Sequence, residues 1–120
     1  QKADKLIETI VFSNYVNVLF ISKSVGTAIS SAYAQKHKIR CKQILYTPLE
    51  QTYKFEHPDA IAFLGTFDLW SNTANVKMLS NEQNVPIYMY KKADHSLETG
   101  DIIKDIEILE DVMKRTKKYL

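Results

Sequence analysis

Three short stretches carry side chains that could do chemistry together. Ser22-Lys23-Ser24-Val25-Gly26-Thr27 offers a hydroxyl at Ser24, Gly65-Thr66-Phe67-Asp68 a carboxylate at Asp68, and Ala93-Asp94-His95-Ser96 an imidazole at His95. Each stretch follows a run that reads as a β-strand, and in open α/β sheets ligands bind just beyond the carboxyl ends of the strands. A hydroxyl beside an imidazole is the pairing that makes a weak nucleophile reactive. Each residue alone has a plainer reading. Ser24 suits a helix N-cap or an anion-binding hydroxyl, Asp68 could cap a helix beginning near Asn72, and His95 could be an exposed loop histidine.

The elements that would have to position these residues alternate along the chain. Leu6, Ile7, Ile10 and Val11 repeat with a helical period from Asp4 and stop at Ser13-Asn14. Residues 16–21 form an apolar, β-rich run of the kind a buried parallel strand shows. The spacing then predicts a helix over 27–36, with a small inner face of Ala28, Ile29, Ala32 and Tyr33. A strand over 42–46 stops at Thr47-Pro48, a loose segment fills 50–59, and a third strand spans 60–64. A modest helix over 72–79 leads to a strand over 87–90, opened by Pro86, whose missing N–H is tolerated there. Residues 101–119 make a long amphipathic helix, with Ile102, Ile106, Leu109, Val112 or Met113, and Thr116 facing inward. The alternation predicts a single α/β domain over 1–120, with a parallel sheet of about four strands flanked by helices.

Composition narrows the field. The chain has 120 residues, 45% hydrophobic and 25% charged, with net charge +2. That is enough to bury about two thirds of its unfolded surface, and too apolar and too weakly charged for disorder. No apolar run approaches a membrane span of about 18 residues. One cysteine, Cys41, leaves no internal disulfide or cysteine-based zinc site, and the reading expects a reducing cytoplasm and no cofactor. The chain opens on Gln1 with no charged and apolar leader pattern, so no signal peptide is expected. Basic residues cluster at 36–42 and 114–118 without interleaved stacking aromatics, which reads as solvated helix ends rather than a nucleic-acid surface. Only three glycines occur, so Gly-rich phosphate loops are absent.

Taken together, the three stretches resemble the C-terminal half of the α/β-hydrolase fold. Ser22-Lys23-Ser24-Val25-Gly26 is similar to the G-x-S-x-G nucleophile elbow, with Ser22 in place of the first glycine. Gly65-Thr66-Phe67-Asp68 resembles that family's acid loop, and Ala93-Asp94-His95-Ser96-Leu97 its histidine loop ahead of the final helix. The resemblance implies a nucleophile at Ser24, a general base and then acid at His95, and a carboxylate at Asp68 that holds the imidazole tautomer. It also implies one oxyanion donor in the Val25 N–H. Tyr53, Phe55, Phe67 and Trp70 fall in loops near these residues and are candidates for the wall of an acyl or alcohol pocket.

Other residues carry less. Glu50 follows the second strand, where some members of the fold place the acid, but Asp68 fits the local motif better. Asp94 reads as a turn residue, Lys23 as solvent-facing, and Cys41 as a small packing residue. His37 and His57 read as surface residues without partners at metal-ligand spacing, so no metal is expected. The resemblance also implies strands and a second oxyanion donor that this stretch does not contain. The strand over 16–21 would be left as an apolar edge, to be paired by a second copy or by an N-terminal half. The expected function is a serine hydrolase acting on the ester or thioester bond of a small acyl substrate, weakly active in this form. A non-catalytic interaction or ligand-binding module of the same fold is the alternative.

Overall fold

The computed structural model describes residues 18–120, and the helical pattern expected from Asp4 lies outside them. Four strands, β1 (Leu19–Lys23), β2 (Lys42–Tyr46), β3 (Ala60–Gly65) and β4 (Ile87–Tyr90), pair in chain order, all parallel. Ile21 lies beside Ile44, Ile44 beside Ile61, and Ala62 beside Ile87. Helix α1 (Val25–Lys36) joins β1 to β2, a 3-10 helix (Glu50–Lys54) lies between β2 and β3, and α2 (Thr73–Glu82) joins β3 to β4. Helix α3 (Ile102–Tyr119) closes the chain.

Every crossover steps the same way along the sheet, so right-handed connections put α1, the 3-10 helix and α2 on one face. Strand alternation then divides the core into two layers. Leu45, Ala60, Ala62 and Leu64 face those three elements, packing with Val85, Val76 and Tyr53. Ile44, Ile61 and Phe63 face the other way, onto Val112 of α3. β3 is buried at all six positions, as a central parallel strand should be. β1 is the opposite case: alternate residues are exposed, and Ile21 is 58% accessible.

Two helix faces differ from expectation. α1 buries Thr27, Ser31, Tyr33 and Ala34, a set rotated by about one residue from Ala28, Ile29 and Ala32. Its hydroxyls are matched across the interface, with Thr27 Oγ1 2.7 Å from Thr52 Oγ1 and Ser31 Oγ 2.7 Å from His57 Nε2. Hydroxyl partners, rather than apolar area, decide that face. α3 turns Ile108, Val112, Thr116 and Tyr119 toward the sheet, while Ile102, Ile106, Leu109 and Met113 stand in solvent. The helix has two adjacent apolar stripes, and the one expected inside is largely the one left out.

His57 also departs from its expected surface position. It is 3% exposed, with Nδ1 2.9 Å from Gln83 Oε1. The Gln83 amide is oriented by donating to the Tyr53 and Phe55 carbonyls, so its oxygen must face the ring. His57 therefore ties α1 to the end of α2. His37 is exposed at the end of α1, and Cys41 is a free, half-buried thiol.

Candidate active site

The carboxyl ends of β1, β3 and β4 bring three side chains into line. Ser24 directly follows β1, and its N–H donates to the Tyr46 carbonyl at 2.9 Å, pinning the turn to β2. The turn forces Ser24 to φ +56° and ψ −128°, a conformation costly for a residue with a Cβ. Such strain is tolerated where the fold on both sides dictates the backbone, here a strand entering and a helix leaving. Small neighbours permit it: a Cβ on Gly26 would lie 3.9 Å from the Ser22 Cβ, so positions 22 and 26 face each other across the turn. Ser22 fits, its hydroxyl accepting from Ser30 at 3.1 Å.

Ser24 stands at the N-cap position of α1, yet its side chain makes no capping bond. Its Oγ instead lies 2.7 Å from His95 Nε2. On the far side of the ring, His95 Nδ1 lies 2.7 Å from Asp68 Oδ2. A carboxylate oxygen only accepts, so Nδ1 carries the proton in this bond. The neutral ring then offers Nε2 as an acceptor to the Ser24 hydroxyl. Asp68 is 4% exposed, and its other oxygen accepts the Trp70 N–H at 2.8 Å. Capping of α2 falls to Asn72, which accepts from the Asn75 N–H, so Asp68 is not the cap.

The acid and histidine loops are locked together. Gly65 ends β3 so close to the next loop that a Cβ there would fall 2.2 Å from the Ala93 carbonyl oxygen. Thr66 N–H donates to Tyr90, Phe67 N–H to Ala93, and Thr66 Oγ1 accepts from the Lys92 N–H. Asp94 Oδ1 accepts from the Ser96 and Glu98 N–H groups, bracing the turn that presents His95. Thr47, at the end of β2 beside the serine turn, has φ +49° and a buried hydroxyl without a partner, which nothing in the surrounding structure explains.

The remaining candidates divide. Val25 opens α1, where first-turn N–H groups have no partner within the helix and carry the positive end of its dipole. Trp70 stacks on the His95 ring, centroids 4.8 Å apart and planes 16° from parallel. Phe67 is exposed nearby in chain, two residues after the close approach at Gly65. Tyr53 is not available to a pocket wall: it is 7% exposed, packed with Leu64 and Val76, and its hydroxyl donates to Ser80. Glu50 accepts from the Asn72 N–H and Asn75 Nδ2, bracing the start of α2. The stack on the histidine was not foreseeable from spacing, since only the turn after Asp68 brings the indole back over the ring. Among the described residues, no group of histidine, cysteine and acidic side chains could hold a metal ion. No helix among them is long and apolar enough to cross a membrane.

A groove of about 530 Å³ adjoins the site, lined by Lys23, Tyr46, Leu97 and the outward Ile102, Ile106 and Leu109 of α3. An arrangement of this kind can remove the Ser24 proton as the oxygen attacks and return it to a leaving group. It can also offer a helix-end N–H to a developing oxyanion.

Comparison with known proteins supports the fold. No family model and no curated protein sequence matches the chain. Among solved structures it is similar to a protein from Xanthomonas campestris pv. campestris classed as a hydrolase of the alpha/beta superfamily. That match has TM-score 0.62 and 12% identity, over 95% of this chain and 66% of the other. It is also similar to the Bacillus cereus carboxylesterase, with TM-score 0.60 and 17% identity, over 98% of this chain and 56% of that one. The chain therefore spans about two thirds and rather over half of these two proteins.

Proposed function

We propose that this chain, whose described part has an α/β-hydrolase-like fold of a four-stranded parallel sheet flanked by three helices, is a serine hydrolase that cleaves an ester or thioester of a small acyl substrate. Ser24 Oγ attacks the acyl carbon while His95 Nε2 takes its proton, giving a tetrahedral oxyanion that the Val25 N–H receives. Collapse expels the leaving group with the proton now on His95. Water, deprotonated by the same nitrogen, then releases the acid and restores Ser24. Asp68 keeps Nδ1 protonated and the ring in plane. No metal or cofactor is required by this sequence of steps.

The observation that carries the reading is the 2.7 Å bond from Ser24 Oγ to His95 Nε2 in a residue whose ordinary task would be to cap α1. A hydroxyl diverted from its own helix to an imidazole, itself held by a buried carboxylate, has little structural purpose. A fluorophosphonate probe tests it. The wild-type chain is expected to be labelled on Ser24, and Ser24→Ala to lose labelling; a chain that does not react, or reacts equally without Ser24, overturns the assignment. The non-catalytic reading predicts the second result.

We also propose that β1 is paired in the working protein, by a second copy or by an N-terminal half of the fold. Support comes from its one-sided pairing among the described residues and from the extra length of the two similar proteins. A partner there is the natural source of a second oxyanion donor, whose absence typically lowers turnover by about 10²–10³. The lone thiol keeps cytoplasmic location as part of the reading.

A further inference from the structure

Trp70 is the only tryptophan in the chain, and it is 65% exposed. A side chain of that size left in solvent adds little to the core, so its position calls for another reason. Two contacts supply one. Its backbone N–H holds Asp68 Oδ1 at 2.8 Å, and its indole lies flat on the His95 ring at 4.8 Å and 16°. One residue thus grips the acid with its main chain and the base with its ring. Resting on the hydrolase reading above, we propose that Trp70 is a positioning residue that holds the His95 ring in line and favours its protonated state during the proton transfer from Ser24.

The reason is the charge distribution of the indole. Its face is electron-rich, so it attracts an imidazolium more strongly than a neutral imidazole. His95 is neutral before attack and cationic once it has taken the Ser24 proton. A contact that strengthens over that step lowers the barrier rather than merely binding the ground state. The stack also blocks rotation of the ring away from Asp68. The acid-side hydrogen bond comes from the backbone, so replacing the indole leaves it in place and isolates the ring's contribution.

The test uses the full chain, a fluorophosphonate probe and tryptophan fluorescence. Protonated imidazole quenches a stacked indole, so wild-type emission should show a pH step that His95→Gln removes. Trp70→Leu is expected to slow labelling at neutral pH by about three- to tenfold, and to move the acidic limb of the labelling profile to lower pH. Trp70→Phe, which keeps an aromatic face, should recover most of the rate. Slower labelling with an unmoved acidic limb, or a phenylalanine variant as slow as the leucine one, would overturn the proposal. So would a wild-type profile without the fluorescence step. If no variant labels while the step survives, the hydrolase reading fails and takes the positioning role with it. If labelling proceeds without the step, only the role of Trp70 fails.

Discussion

Ser24 shows how much backbone strain one position can hold when the elements around it leave no alternative. A type of residue that normally avoids positive φ is fixed there between a strand and a helix, and its hydroxyl makes no capping bond but lies 2.7 Å from His95 Nε2. Gly65 is the counterpart in the acid loop. No side chain fits beneath the Ala93 carbonyl, so Gly65→Ala must push the histidine loop outward. That substitution is expected to destabilise the fold by about 1–3 kcal/mol, as overpacking does, and to slow probe labelling beyond what the lost stability explains. Urea titration with labelling at low urea measures both; unchanged labelling would show that the loops tolerate separation. Gly100 differs from both, with φ +88° and open space around it, so there the backbone angle alone favours glycine. The loops' order and strand-end placement made Ser24, Asp68 and His95 legible in the sequence. Tyr53 was misjudged because a tyrosine in an irregular stretch looks free, whereas the 3-10 helix turns it onto Leu64 and Val76. Cys41 is a quieter case: burial first, then the nearby Asp59 charge, pushes its thiol up to about 11. At pH 8 it should react far more slowly with maleimide than a free thiol of ordinary pKa; rapid modification would contradict that burial.

At the scale of elements, the strands were more legible than the helix faces. The breaks at Thr47-Pro48 and Pro86 helped to place β2 and β4 to the residue, although β2 opens on Lys42 and a buried Gln43. β1 instead begins at Leu19 and runs to Lys23, later than the apolar run over 16–21 suggests, because its register is set by pairing with Lys42–Tyr46. A helix face can hide its buried side in hydroxyls, as α1 does with Thr27 and Ser31, or carry two apolar stripes, as α3 does. Hydrophobic periodicity alone cannot choose between them. The link through His57 has a measurable consequence. Burial holds this imidazole below its usual range, the Gln83 and Phe55 hydrogen bonds opposing that only in part. The unfolded chain takes the proton first, at about pH 6.5, so this contribution is full above that pH and lost as pH falls through the lower, folded value. Stability to urea should therefore drop as pH falls below about 6.5, and His57→Gln should flatten that part of the curve. An equal slope in both proteins would mean that the carboxylates, not His57, carry the acid sensitivity.

For the molecule as a whole, the uncovered surface matters as much as the core. Leu19 and Ile21 on β1 share a side of the sheet with α3, whose Ile102, Ile106, Leu109 and Met113 are also exposed. Exposed apolar area together with a parallel edge that has no pairing strand among the described residues favours association. We expect the isolated 13.9 kDa chain to run above its monomer mass at micromolar concentration, and Ile106→Glu with Leu109→Glu to return it to that mass. A wild-type chain that stays monomeric would count against a self-paired edge. Ser24, Asp68 and His95, meanwhile, follow β1, β3 and β4, three of the sheet's four strands. Ser24 and His95 meet across 71 residues of chain. None of these bonds can form locally, because parallel neighbours are joined only through crossovers. Loop closure on this scale comes late and slowly in folding. The bond between Ser24 and His95 should thus be among the last features to appear when the protein folds, and among the first to vanish when β4 frays.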